Sequence, residues 1–248
     1  MQHSRLSSLP IASASYILRL LLTVMAVDGA SRIIRSIEIL ERVYGVPERR
    51  SIDPVDLLIS TILSQNTTDK NSHKAFAALK RRYPDYEALL LAPIDEISGC
   101  IRVGGLAEIK AERIKEVLKR IKGRARAVTL NFLGDLGLEE AREYLLSLPG
   151  VGPKTASVVL LFGFGFETMP VDTHVNRVTR RLGLVPASAS IAEAQRILEE
   201  ITPPGKYFSF HLNLIRHGRR RCRAKSPLCD GCELAEVCDY VMSCRVLK

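Results

Sequence analysis

From about Ser31 to the end of the chain, apolar residues recur every three or four positions, and no stretch alternates apolar with polar as a half-buried strand would. Ile33, Ile37, Leu40 and Tyr44 fall on one helical face. So do Ile114, Val117, Leu118 and Ile121, then Leu138, Ala141, Leu145 and Leu148, then Ala194, Ile197, Leu198 and Ile201. Such spacing stacks side chains along one stripe of an α-helix. The expected fold class is all-α, with about ten helices. Two helix starts are marked chemically: Ser190-Ile-Ala-Glu193 has the capping-box pattern, and Asp53 precedes Pro54, whose fixed φ and missing N–H suit a first helical position.

Val55–Leu63 and Ser157–Phe166 are apolar around most of the helical circumference, so both belong in the middle of a domain. Residues 54–165 are therefore expected to form one helical unit. Residues 166–248, together with the early helical segment 31–53, are assigned to a second. The stretch Ile17–Val27 is apolar but is interrupted by Arg19 and is too short to span a bilayer, so no membrane partner is expected. Residues 1–30 read as an N-terminal extension, and translation from Met25 would account for the same residues.

Of 248 residues, 46% are apolar, ample for a packed core, and the formal net charge is +9. Clustered Lys and Arg gain affinity for polyanions by releasing counterions, which suggests nucleic acid; a solvated basic surface fits the charge alone equally well. Among six cysteines, Cys100 stands apart, while Cys222, Cys229, Cys232, Cys238 and Cys244 crowd near the end. A secreted disulfide scaffold is not expected from cysteines gathered at one end of a chain this large, and an intracellular, reducing compartment fits better. Cys100 reads as a small core residue and Cys244 as a spare.

Leu148–Ala156 reads LPGVGPKTA, a Gly-rich turn between two helical patterns. Gly150 and Gly152, flanking Val151, permit positive φ and let a phosphate approach the backbone, so successive N–H groups could hold DNA without reading its sequence. A plain helix–helix turn remains the competing reading. Lys154 sits at the start of the following helix, where unpaired N–H groups favour anions and disfavour a second positive charge, so its amine is a candidate nucleophile. Eighteen residues on, in the segment Val171-Asp-Thr-His174, Asp172 is either a helix cap or a carboxylate able to stabilise the positive charge that develops at a sugar C1′ as a glycosidic bond breaks. Spacing alone does not bring the two together.

Cys222, Cys229, Cys232 and Cys238 are separated by 6, 2 and 5 residues. Four thiolates so close could hold a tetrahedral zinc or a [4Fe–4S] cluster. Arg223 and Lys225 lie inside the loop, and Arg219, Arg220 and Arg221 precede it. Cations on a metal-tied loop suit a phosphate clamp better than a catalytic centre.

These three motifs in this order resemble the endonuclease III branch of the helix–hairpin–helix (HhH-GPD) DNA glycosylases, and the likeness runs from about Arg32 to Tyr240. The resemblance implies a bifunctional DNA glycosylase and apurinic/apyrimidinic lyase of base excision repair. Its DNA cleft would lie between a six-helix domain, residues 54–165, and an iron–sulfur domain, residues 31–53 plus 166–248, with the cluster loop at 222–238. Lys154 takes the place of the catalytic lysine and Asp172 that of the catalytic aspartate. The cysteines would hold a [4Fe–4S] cluster rather than zinc. The implied partner is double-stranded DNA with damaged bases or abasic sites, met by a monomer in the cytoplasm or nucleoid.

In the family a leucine after a glycine wedges into the duplex, a position that Leu106 of Ile101-Arg-Val-Gly-Gly-Leu106 matches; packing on a neighbouring helix is the competing role. Where the family places a glutamine that fills the hole left by a flipped base, this chain has Asn66, with Gln65 just before it. His174 could bind phosphate or orient Asp172, and His211 and His217 carry no assignment. The substrate implied is an oxidised pyrimidine. A mismatch thymine or uracil glycosylase on the same scaffold, and a non-catalytic iron–sulfur DNA-binding module, are the alternatives; adenine-type glycosylases lack the lysine.

Overall fold

The computed structural model describes residues 31–246, so the extension assigned to residues 1–30 lies outside the described residues. Among them there is no strand, and twelve α-helices follow one another. Helix α1 spans residues 31–44, followed by α2 (Pro54–Ser64), α3 (Asp69–Arg82), α4 (Tyr86–Leu91) and α5 (Ile94–Ile101). A single 3₁₀ turn, Arg102–Gly104, leads to α6 (Ala107–Ala125), and then come α7 (Leu138–Ser147) and α8 (Pro153–Val158). The last four are α9 (Thr173–Arg181), α10 (Ile191–Ile201), α11 (Tyr207–Arg220) and α12 (Asp239–Val246).

Capping fixes where several of these begin. Asp53 accepts hydrogen bonds from the amides of Val55 and Asp56 at 2.8 and 3.0 Å, with Pro54 in the first turn of α2. Ser190 and Glu193 form the reciprocal capping box at the start of α10. Each such cap stabilises its helix by about 1 kcal/mol.

Two hydrophobic cores result. The first gathers apolar side chains from Val55 to Leu160, with α2 at its centre: Leu58, Ile59, Ile62 and Leu63 are fully buried. The second joins Ile33, Ile37 and Leu40 of α1 to α9, α10, α11 and the cysteine-rich segment. Helix α1 is held there by polar contacts too, since Asn213 and Arg216 of α11 donate to the carbonyls of Gly45 and Tyr44, and Lys206 pairs with Glu41 at 2.8 Å.

One segment belongs to both cores. Beyond Val158 the helix widens into a π-turn, Val159–Phe164, which no sequence signal announced. Leu160 faces the first core and Leu161 the second, and Phe162 packs against both. Gly163 lets this segment approach α2, because a Cβ there would already touch Leu57 and Pro54 at 3.4 Å.

A polar network braces the same junction. The Glu199 carboxylate on α10 accepts from Thr168 (2.5 Å), the Met169 amide (3.1 Å), Gln195 (2.9 Å) and Arg142 of α7 (3.1 Å). Gln195 also donates to Ser157 of α8 at 2.9 Å. Removing the carboxylate leaves Thr168, the Met169 amide and Gln195 short of an acceptor and Arg142 with only the more exposed Glu139, 3.6 Å away, as an ion-pair partner. Glu199→Ala is therefore expected to cost about 2–3 kcal/mol, read as a fall of roughly 5–10 °C in the thermal unfolding midpoint.

Candidate active site and nucleic-acid interface

The LPGVGPKTA turn connects α7 to α8 as a tight hairpin. Gly150 has φ +73°, the Val151 amide donates to the Leu148 carbonyl at 3.2 Å, and the buried Val151 side chain anchors the turn. Gly150 and Gly152 are exposed. Lys154 follows in the first turn of α8 with its side chain in solvent. Pro153 occupies the first position of α8, so Lys154, the candidate nucleophile, falls in the first turn of that helix.

Asp172 is the N-cap of α9, its Oδ1 accepting from the Val175 amide at 2.7 Å. Capping and catalysis were rival readings of this residue, and the cap is present. His211 on α11 relates it to Lys154. That ring is fully buried, packs edge-on against Phe162 at 5.7 Å, and has its pKa lowered to about 4 by burial, with Asp172 and the Pro170 carbonyl opposing the shift and Lys154 adding to it. Both charged groups therefore lie within electrostatic reach of one imidazole, although they are eighteen residues apart. His174 is less buried; its Nδ1 lies 3.0 Å from Arg177 Nη2, and because arginine only donates, Nδ1 must be the acceptor. Its pKa is lowered chiefly by burial, against the pull of Asp172.

Of the candidate DNA-probing residues, Gln65 reaches the hairpin, and Asn66 and Leu106 stand exposed on turns of their own. Asn66 is exposed in the left-handed region at φ 54°, and Leu106, 52% exposed, adopts φ 51° as it leads into α6. Gln65 has its side chain occupied within the protein: Nε2 donates to the Gly150 carbonyl at 3.1 Å, and Oε1 accepts from Arg113 at 2.8 Å. Arg113, which carried no sequence signal, lies across the hairpin where a Cβ on Gly150 would stand, only 2.2 Å away.

At the other end of the molecule, Cys222, Cys229, Cys232 and Cys238 line one pocket with apolar neighbours such as Val178, Leu182 and Val241. Among the described residues, no three His, Cys, Asp or Glu side chains are placed to close on one ion; the thiols are spread around the wall. Burial pushes the thiols of Cys229, Cys232 and Cys238 up, so bare cysteines there resist ionisation. Arg181 of α9 donates to Cys222 Sγ at 3.3 Å and to the carbonyls of Arg223 and Ala224, while Arg177 donates to the Cys222 carbonyl at 2.9 Å. The helix capped by Asp172 thereby grips the cysteine loop. Cys244 borders a second pocket beside Cys229 and Cys232, and Cys100 packs half-buried against the first core.

The basic run divides by use. Arg219 pairs with Asp69 of α3 at 2.6 Å and Arg221 with Glu233 at 3.2 Å, whereas Arg223 and Lys225 present exposed side chains.

Residues 59–204 match the family described as HhH-GPD superfamily base excision DNA repair protein. The chain belongs to that family and is a base excision repair DNA glycosylase. Within it, the chain is 40% identical over 186 residues to endonuclease III of Synechocystis sp., an alignment covering 75% of this chain and 80% of the relative. Its fold superposes on that of a trapped endonuclease III–DNA covalent intermediate with a TM-score of 0.75 at 28% identity, covering 87% of this chain and 98% of the other. The fold is shared as well with a thermostable thymine-DNA glycosylase, with a TM-score of 0.72 at 24% identity over 88% of this chain and 99% of the other. No helix among the described residues is long and apolar enough to cross a membrane.

Gly150→Ala forces an L-residue to φ +73° and displaces Arg113 from Gln65, at a strain of about 1–2 kcal/mol. Affinity for duplex DNA, measured by fluorescence anisotropy at fixed salt, is expected to fall about tenfold.

Proposed function

We propose that this protein is a bifunctional glycosylase and abasic-site lyase that removes oxidised pyrimidines from double-stranded DNA and cuts the strand at the product, working as a monomer inside the cell. The reading is carried by Lys154 at a helix start and Asp172 at a helix cap, both acting on the buried His211 ring beside a hairpin suited to phosphate. The two hydrophobic cores support a division into a first domain, residues 54–165, which holds the seven helices α2 to α8 where six were expected, and a second domain built from residues 31–53 and 166–248, with DNA bound in the cleft between them.

The chemistry follows from the side chains. A damaged base leaves the stack at a cost smaller than for a sound pair. The Lys154 amine, unprotonated, attacks C1′ and the base departs with the bonding pair. The second carboxylate oxygen of Asp172, whose first is spent on the Val175 amide, stabilises the charge developing at C1′ and relays a proton. The amine then remains as a Schiff base on the opened sugar, and loss of the C2′ proton expels the 3′ phosphate by β-elimination. Hairpin amides at Gly150 and Gly152 hold a neighbouring phosphate while Val151, its own amide bonded to Leu148, anchors the turn; Leu106 enters the stack, Asn66 faces the unpaired base, and Arg223 and Lys225 bind the backbone farther along. Gln65 serves this surface by bracing the hairpin from inside.

Cys222, Cys229, Cys232 and Cys238 fit a [4Fe–4S] cluster: the donors are four soft thiols around one pocket wall, with a guanidinium at one sulfur, and a positive centre would offset the cost of ionising them. When bound, the cluster would supply rigidity to the loop and a redox centre. Cys232→Ser is expected to abolish brown colour and absorption near 400 nm and to lower DNA affinity with Lys154 still in place; a colourless wild-type protein containing zinc would overturn the cluster.

Lys154→Gln should eliminate covalent capture of the protein on abasic DNA by borohydride, and a captured adduct in that variant would assign the chemistry to another amine. Asp172→Asn preserves a capping side chain, so thermal stability should be retained while single-turnover base removal drops by about 10²-fold or more. Comparing duplexes that carry one oxidised pyrimidine, uracil or mismatched thymine opposite each normal base tests the substrate class.

A further inference from the structure

Lys110, in the first turns of α6, is among the large side chains that are fully buried in the described residues, 1% exposed. Its ammonium donates to two carbonyls, Leu63 and Gly104, each at 2.9 Å. Leu63 lies in the last turn of α2 and Gly104 ends the 3₁₀ turn before α6, so the negative ends of two helical segments converge on one cation. Burial, and secondarily Arg113, lower its pKa. A charge kept in such a place at evident cost points to more than filling space.

Its partners sit beside the two exposed side chains that probe DNA. Three residues after Leu63 comes Asn66, and two after Gly104 comes Leu106, each in the left-handed region. The Lys110 amide also donates to the Leu106 carbonyl at 2.9 Å, so the wedge turn is gripped from both sides. One helical turn on, Arg113 holds Gln65, and Gln65 holds the Gly150 hairpin. The turns approach closely, since a Cβ on Gly104 would stand 3.2 Å from Ala75 Cβ and 4.0 Å from the Leu63 carbonyl.

We propose that Lys110 is a positioning residue for lesion reading, tying the turn that presents Asn66 to the turn that presents Leu106 so that wedge and opposite-base contact act at one fixed separation. The proposal rests on the glycosylase reading above. Its consequence is selective: a step that requires a base to leave a duplex depends on the clamp, and chemistry on an already exposed sugar does not.

The test uses the full-length, cluster-loaded protein and its Lys110→Met and Lys110→Arg variants. Substrates are duplexes with thymine glycol opposite each normal base, and an abasic single strand for borohydride capture. For Lys110→Met, single-turnover base removal from duplex is expected to fall at least about tenfold and its dependence on the opposite base to flatten, while single-strand capture changes less than about twofold. Lys110→Arg, which keeps the charge and donors, should recover most of the duplex rate. Equal losses on both substrates would mark Lys110 as merely structural, and no loss would overturn the clamp. If Lys110→Met does not fold, Gly104→Ala, whose Cβ would press on Ala75 of α3 at 3.2 Å and so shift the turn whose carbonyl Lys110 holds, must show the duplex-selective loss or the proposal fails. A wild-type protein that neither cleaves the duplex nor is captured would sink the glycosylase reading itself, whereas an active wild type with unaffected variants sinks only the clamp.

Discussion

The helical segment that begins at Pro153 and ends at Phe164 is common to both hydrophobic cores, and the site depends on that sharing. Its first turn carries Lys154, its middle buries Val159 and Leu160 in one core, and Leu161 and Phe162 enter the other. An amine and a carboxylate from different parts of the chain, such as Lys154 and Asp172, keep a constant relation only if the bodies carrying them cannot slide. The Glu199 network supplies the directional part of that restraint, joining α7, α10 and the loop before Asp172 through one carboxylate and reaching Ser157 of α8 through Gln195 and Thr168. Apolar packing alone would hold the bodies together without fixing their register.

Helix ends do much of the remaining chemistry. Asp172 orders α9 at its start, and Arg177 and Arg181 on the same helix hold the cysteine loop, so one helix runs from the candidate catalytic aspartate to the cysteine-rich segment. The Gly-rich hairpin presents amides at the start of α8, and the two carbonyl-rich ends near Leu63 and Gly104 meet a lysine. Unsatisfied backbone groups, unavoidable at every helix terminus, are here the means of placing function.

Much of the fold was legible in the sequence because helices declare themselves by period and by their caps: the stripes at Ile114–Ile121 and Ala194–Ile201, Asp53–Pro54 and the Ser190–Glu193 box all appear in the structure. Lys154, Asp172 and the cysteines were visible as motifs, since each sits in a short stretch of unusual composition. What escaped notice was long-range. Arg113 bracing Gln65, the buried Lys110, and Arg219 turned toward Asp69 are ordinary residues in charged helical surroundings, and their partners lie 47 or more positions away except for Gly104. Local pattern carries no information about such pairs. The π-turn was equally silent, because Val159–Phe164 is as good an α-helical sequence as a π-helical one.

That wide turn sets a phase. An α-helix rotates by about 100° per residue and a π-turn by less, so the wide turn takes up one extra residue without changing the direction in which the side chains beyond it face. Were a residue lost between Val159 and Phe164, the backbone could relax into an ordinary α-helix with the flanking residues still in phase. Yet Leu160, Leu161 and Phe162, which face one core, the other and both, could no longer all be seated, because the narrower turn has one side chain fewer to divide between them. Tolerance to insertion and deletion in this segment should consequently be far lower than its apolar, featureless composition suggests.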